Sequence, residues 1–386
     1  MRRLLIWGTG GQAEKVLAQF PHATHEIVAF VDNNPARPEL FHGKPVLGPA
    51  AAAKLVAGKD YDQLAIASVF YGEIRQQAVG LGIPAERIAT ACSLHFLHLA
   101  HLLSDAQLAE LSSVPWWYHC FEILPGVVTP GVCGYKPWLL DHPLLADLAG
   151  RRALDIGAWD GPYTLEMTRR GAEVTGFDIQ PSSHSGFDVM RRVNNLDARH
   201  ICANVYTLNP AEHGTFDVVT FFGVYYHLKD PLLALANINA VLNMGGLVLV
   251  EGAVLEGAPQ VDASWAGRED VIALLRDMPM GYYVKGEYEG EWSNWWVPNL
   301  TCLGHWLESS GFELLHSGLA EGGARGYCVA RKVAEIPQEH IVLPPAQALG
   351  QACGAAAATC VGMRQKRLKV LHRRPPEPFK PDSRDA

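Results

Sequence analysis

Residues Arg152 to Met167 read RALDIGAWDGPYTLEM, and the fold is decided there. Ala153-Leu154-Asp155-Ile156 is a short buried strand ending in a carboxylate. Gly157, Asp160 and Gly161 then make a tight turn before Thr164-Leu165-Glu166-Met167 opens a helix. A strand that stops at a glycine turn and restarts as a helix leaves backbone N–H groups free and lets a ligand approach the main chain. The stretch therefore predicts a nucleotide-shaped pocket in an α/β protein.

Working outward, Gly171 to Asp178 (GAEVTGFD) is a second strand ending in an acid, one βα unit downstream. At that place a carboxylate can accept both ribose hydroxyls of a nucleoside. Ile201-Cys202-Ala203 leads to Asn204 and Val205, and Phe216 to Phe222 is a fourth strand. Asp230 suits the cap, and Pro231 the first position, of a helix continuing over Leu232 to Val241. Leu247 to Glu251 is the fifth strand, so Tyr225, Tyr226, His227 and Glu251 are expected to converge at the carboxyl ends of the strands.

The spacing Asp155-x-Gly157-x-x-x-Gly161 resembles the first motif of class I S-adenosylmethionine-dependent methyltransferases, with Trp159 in place of the usual central glycine. The loop carries two acids and no Lys or Arg, which suits a sulfonium and an amino group better than phosphates. The resemblance implies S-adenosylmethionine as cofactor. Asp155, Gly157, Ala158, Trp159, Asp160 and Gly161 would surround its methionine part, Asp178 its ribose, Asn204 and Val205 its adenine, with Phe222 nearby. Phe222-Gly223-Val224-Tyr225-Tyr226-His227-Leu228-x-x-Pro231, Gly246 to Glu251, and Asn294 to Asn299 leading to Trp306-Leu307-Glu308-x-x-Gly311-Phe312 narrow the likeness. From about Trp116 to Lys332 the chain resembles the tRNA wobble-uridine (carboxy)methyltransferase family and its small-molecule relatives. That implies a seven-stranded sheet closed by an antiparallel pair, Phe312 to Leu315 with Gly326 to Ala330. The tRNA enzymes hold a carboxylated cofactor with several basic groups, whereas only Lys136 is an obvious match upstream of the first motif here. Plain S-adenosylmethionine, with a saccharide, nucleotide-sugar or other small hydroxylated acceptor, is the preferred expectation; tRNA modification and a non-catalytic nucleotide-sugar-binding scaffold are the alternatives.

Before this region, Leu4 to Trp7, Ile27 to Asp32 and Gln63 to Ser68 read as strands of a smaller Rossmann-like unit, with helices between them. It resembles the nucleotide-sugar-binding domain attached to several sugar-modifying enzymes, through Trp7 to Gly11, Phe30 to Asn34 and Gly43 to Val46. The resemblance implies Gly10, Gly11 and Asp32 as ligand contacts. A unit kept for folding or dimerisation is the other reading, because a lone GxGG turn has low specificity. Ala91 to Ser113 reads as a helical connector with a capping box at Ser104 and Gln107. His95, His98 and His101 recur there every three residues, as helix-surface or interface histidines with no fourth metal ligand in view. Trp116, Trp117, Tyr118 and His119, with Lys136, mix rings and polar groups just before the first motif. Substrate contacts are expected from Trp117, Tyr118, Lys136, Tyr225 and Glu251; packing at a domain junction is the alternative for the tryptophans.

The expected architecture is two Rossmann-like domains, residues 1–91 and 115–334, joined by a connector over 92–114 and followed by a helix and a basic, proline-rich tail over 335–386. The chain has 386 residues, 48% hydrophobic and 19% charged, with a formal net charge of −8. That balance gives no electrostatic footprint for non-specific nucleic-acid binding, though a local tRNA patch stays compatible with it. Eight cysteines without a CxxC pair indicate neither a zinc cluster nor a disulfide framework. No signal-peptide core and no transmembrane run is read, so a cytoplasmic location is expected. A homo-oligomer is compatible with the sequence, which does not fix its size. For catalysis, His227 is the first choice of general base, with Tyr226 orienting the acceptor, and His119 is the second choice. His227 as a structural cap of the following helix, and Glu251 as a simple strand end, are the alternatives.

Overall fold

A computed structural model describes residues 2–18, 25–58, 60–68, 70–257, 278–284, 293–320 and 323–336. The helix expected over Ala346 to Met363 and the tail after it lie outside the described residues.

The chain opens with β1 (Arg2–Trp7), α1 (Gly11–Ala18), β2 (His25–Val31), β3 (Leu40–Phe41), β4 (Lys44–Leu47), α2 (Pro49–Gly58), β5 (Gln63–Ile66), α3 (Tyr71–Gly80) and β6 (Ile88–Thr90). Their sheet runs β3-β4-β2-β1-β5-β6, parallel except for β3. The apolar run in β1 is buried on both faces, as a central parallel strand requires. Leu4 and Ile6 pack with Phe30 and Ala65 on one side, while Leu5 and Trp7 pack with Val31 and Ile66 on the other, the period of two read directly.

Two helices follow, α4 (Ala91–His98) and α5 (Asp105–Ser113). Thr90 caps α4 by accepting from the Ser93 N–H at 3.0 Å, and Ser104 with Gln107 forms the expected capping box on α5. Helix α4 faces two ways. Ala91 and Leu94 belong to the amino-terminal core, whereas Cys92 and Phe96 pack with Trp117, Ala158 and Phe187 of the next sheet. Of the expected surface or interface histidines, His95 takes the interface place: it is 5% exposed and its Nε2 meets the Val128 carbonyl at 2.6 Å. Burial lowers its pKa.

Residues 119–134 form β7 (His119–Cys120), paired in parallel with β10 (Cys133–Gly134), around a hairpin of β8 (Glu122–Leu124) and β9 (Val127–Val128). The second sheet then builds from β11 (Arg152–Ile156), α6 (Pro162–Arg169), β12 (Glu173–Asp178), α7 (Phe187–Val193), β13 (Arg199–Cys202), α8 (Pro210–His213), β14 (Phe216–Phe222), α9 (Pro231–Val241) and β15 (Leu242–Ala253). A small hairpin, β16 (Gly281–Tyr283) with β17 (Trp296–Pro298), precedes α10 (Leu300–Ser309), β18 (Phe312–Ala320) and β19 (Arg325–Lys332). The seven strands run β13-β12-β11-β14-β15-β19-β18, with β19 antiparallel to both neighbours. Strand order reverses between β11 and β14, and in open α/β sheets ligands bind at the carboxyl ends of strands beside such a switch.

Candidate functional site

The carboxyl end of β11 is built around Asp155, which is 2% exposed. Thr164 of α6 donates its hydroxyl to one carboxylate oxygen at 2.7 Å and Thr220 of β14 donates to the other at 2.8 Å. Asp155 thus ties two strands and a helix together, and burial raises its pKa despite those bonds.

Three residues of the turn take left-handed backbone: Gly157 (φ 78°), Trp159 (φ 47°) and Gly161 (φ 85°). A bulky residue rarely accepts that conformation, which gives the physical reason for the glycine usual at the Trp159 position. Here the strain is held by specific contacts. The Trp159 N–H donates to Asp178 at 3.0 Å, its carbonyl accepts from the Ser185 hydroxyl at 2.6 Å, and its ring lies 5.8 Å from those of Trp116 and Tyr118.

Asp178 ends β12 almost buried, accepting from Trp159 and from the Gln180 N–H at 2.8 Å. Burial raises its pKa too. A carboxylate has about four lone-pair sites, so Asp178 retains capacity for hydroxyl donors. The next residue, Ile179, is 64% exposed, an apolar platform beside the acid that the sequence reading passed over. Asn204 caps a short turn through the Tyr206 N–H at 3.0 Å, and Val205 is buried beneath it. Phe222 ends β14 with its ring 4.6 Å from Tyr163, while Ala158 sits in the core cluster with Phe187.

Asp160 departs from its expected role as a cofactor contact. Its carboxylate is fully buried and turned toward the segment before the motif, accepting the N–H of Tyr118 at 2.8 Å, the N–H of His119 at 2.9 Å, and a close hydrogen bond from His119 Nδ1.

A second polar cluster lies at the ends of β15 and β19. Arg325 grips Glu251 through two hydrogen bonds of 2.8 Å, Lys136 Nζ stands 4.0 Å from the same carboxylate, and Arg325 donates to the Tyr226 hydroxyl at 3.2 Å. Burial opposes the charge on Arg325, yet the bonds from Glu251 hold its pKa above the ordinary guanidinium value. Burial pushes the Tyr118 and Tyr226 hydroxyls up, so both remain neutral donors. Arg325 was not singled out from sequence. Its signal was register alone, since it faces Ala253 at the ligand end of the sheet.

Two expected substrate contacts lie instead in the core. Trp117 is 0% exposed among Phe96, Phe121 and Phe187, and Tyr225 is 1% exposed with its hydroxyl donating to the Ala253 carbonyl at 2.6 Å. His227 is exposed, with Nδ1 2.9 Å from the Ser293 hydroxyl. The cap of α9 is Asp230, which accepts the Leu233 N–H at 3.1 Å.

In the amino-terminal sheet, Gly10, Gly11 and Asp32 line one cavity of about 500 Å³ with Thr9, Ser68 and the exposed Phe70. Space above the two glycines is open, and Asp32 accepts from the Thr9 N–H at 3.1 Å, the Thr9 hydroxyl and the Asn34 N–H at 2.8 Å. Among the described residues no group of His, Cys, Asp and Glu is arranged to hold a metal, and no helix is long and apolar enough to cross a membrane.

The donor set at the switch point fits an adenosyl sulfonium compound. A buried acid and an apolar platform end β12, the turn brings no positive side chain, and the indole Nε1 atoms of Trp116 and Trp159 are buried without a partner among the described residues.

Residues 138–317 match a methyltransferase domain family, and residues 1–89 match a family described as C2185-like, N-terminal. A tRNA U34 carboxymethyltransferase of Geobacter sp. (strain M21) is 31% identical over 171 residues, 44% of this chain and 47% of the relative. One from Mannheimia succiniciproducens is 32% identical over 209 residues, covering 50% and 58% respectively. The chain thus spans about half the length of the curated relatives it matches. A solved structure, the 1,6-didemethyltoxoflavin-N1-methyltransferase of Burkholderia thailandensis with S-adenosylhomocysteine, aligns over 48% of this chain and 72% of its own, at 17% identity and a TM-score of 0.37.

Proposed function

We propose that this chain, a class I S-adenosylmethionine-dependent methyltransferase in the part that carries the seven-stranded sheet, methylates a hydroxyl of a small metabolite such as a saccharide or nucleotide-sugar. The observation that carries the reading is the Gly157–Gly161 turn, closed onto Asp178 through the Trp159 N–H at the switch between β11 and β14. When bound, S-adenosylmethionine supplies a sulfonium methyl: an oxygen–carbon bond forms as the carbon–sulfur bond breaks, the electron pair stays on sulfur, and one proton remains for the protein to remove.

The chain's own residues then have to hold the two reactants and take that proton. Asp178 would accept ribose hydroxyls, Ile179, Asn204 and Val205 would hold the adenine, and Gly157, Ala158 and Trp159 the methionine part, while Asp155 keeps the turn in place. On the acceptor side, Tyr118, Tyr226, Lys136 and the Arg325–Glu251 pair present neutral phenols and paired charges. Two cations and one carboxylate leave a single positive charge there. That suits a polyhydroxylated acceptor carrying at most one negative group.

The names of the relatives favour a second reading, modification of tRNA. A net charge of −8 weighs against it, because phosphate contacts supply most of the affinity for nucleic acid. Incubation with methyl-labelled S-adenosylmethionine and a panel of nucleotide-sugars, glycans and tRNA separates the two. Label in a sugar fraction is expected, and label in tRNA alone would overturn the small-molecule reading.

A further inference from the structure

We propose that His119 is the general base of the site and that Asp160 positions it, an inference that rests on the methyltransferase reading. Asp160 is the residue before the last glycine of the turn and is wholly enclosed. One of its oxygens accepts the peptide N–H groups of Tyr118 and His119, and the other takes the hydrogen bond from Nδ1 of the same histidine. Two backbone bonds already suffice to pin the segment. The third fixes the imidazole, placing its proton on Nδ1 and leaving Nε2 as the bare nitrogen.

The ring lies inside the site. It stands 4.7 Å from Tyr118 and 6.4 Å from Tyr163, whose own ring meets Phe222 at the end of β14. With 13% of its side chain exposed, His119 can be reached by a small acceptor, and no protein partner for Nε2 occurs among the described residues. His227, by contrast, is exposed and lies against Ser293. In the step assigned here the acceptor hydroxyl gives its proton to Nε2, and the imidazolium that results is stabilised by the Asp160 carboxylate through the existing Nδ1–H bond. Asp160 touches no reacting atom; it acts through His119.

Asp160→Asn is the informative substitution. The amide oxygen can still accept the two peptide N–H groups, but its NH₂ then faces Nδ1 and drives the proton to Nε2, the tautomer that cannot accept one. Two-bond ¹H–¹⁵N correlation spectra of the full chain, with His119 assigned by comparison with His119→Gln, read this directly. The wild type is expected to show Nε2 unprotonated and its ring resonances shifted on addition of S-adenosylhomocysteine. The Asn variant is expected to show Nε2 protonated with cofactor affinity unchanged. Toward an acceptor from the panel its kcat should fall on the order of 10²–10⁴-fold. A wild-type ring protonated on Nε2 would overturn the assignment, and so would unshifted resonances while calorimetry shows the nucleoside bound. These readouts need no variant to fold beyond the one used for assignment. If S-adenosylhomocysteine does not bind at all, the methyltransferase reading falls, and this inference with it, in a way the calorimetry alone distinguishes.

Discussion

Asp155 and Asp178 end neighbouring strands, both buried and both with raised pKa, yet they answer to different tests. Asp155 is buried, and the loss of solvation makes its charge cost the native state more than the unfolded one in spite of the bonds from two threonine hydroxyls. A carboxyl raised on folding contributes stability that is complete below its unfolded pKa of about 3.9 and is lost as pH rises through the folded value. Asp155→Asn, which is neutral throughout, should therefore gain in Tm relative to wild type as pH rises above about 4. Scanning calorimetry without cofactor checks this, and a difference that stays flat with pH would refute the burial argument. Asp178→Ala should abolish cofactor binding in calorimetry and leave the circular dichroism spectrum unchanged; retained binding would remove the ribose assignment. Asp178 was legible in the sequence because a strand ending in an acid is a local pattern. The role of Asp160 was not, since its partners lie 41 and 42 residues away and no periodicity connects them.

Among the elements, the turn between β11 and α6 has little freedom. An added Cβ at Gly157 would stand 2.4 Å from Val224 Cγ2, at a φ of 78°. Gly157→Ala should cost about 1–3 kcal/mol in urea denaturation and weaken cofactor binding; a variant as stable as wild type would show that Val224 moves aside freely. Strand β19 is fastened to the site through Arg325, whose loss would leave Glu251 buried with Lys136 as its nearest charge, 4.0 Å away. Arg325→Met should cost about 3 kcal/mol, the low end for breaking a buried pair, because Lys136 compensates in part; a cost under about 1 kcal/mol would mean the pair is solvated. The long strands were readable because apolar runs bounded by glycine turns have one period and one length class. Strands β7 and β10 were not, since two residues carry no period and their pairing depends on a fold assembled later. The same irregularity hid which way Trp117 points. In a regular strand its neighbours would have revealed it, and in this segment only the packing of Phe96 and Phe187 does.

At the scale of the whole molecule, the two sheets are parts of one compact unit spanning Met1–Pro337, and α4 is their shared piece. Phe96 is 0% exposed and packs on Trp117, their ring centroids 6.3 Å apart, so Phe96→Ala should cost about 3–5 kcal/mol and lower the melting of the part that holds the seven-stranded sheet. Residues 91–336 expressed alone should fold and bind S-adenosylhomocysteine, whereas residues 115–336 should lose soluble yield with Trp117 uncovered. Equal behaviour of the two fragments would show that α4 is dispensable to the second sheet.

The double-sided helix also bears on how the two halves can be recombined. A chimera that joins this seven-stranded sheet to a foreign amino-terminal module cannot be cut at Thr90, where strand gives way to helix, because Ala91 and Leu94 are fitted to one host and Cys92 and Phe96 to the other. The exchangeable cassette is bounded by a face of a helix and by no single peptide bond, so any graft has to repaint that face while leaving the opposite one intact.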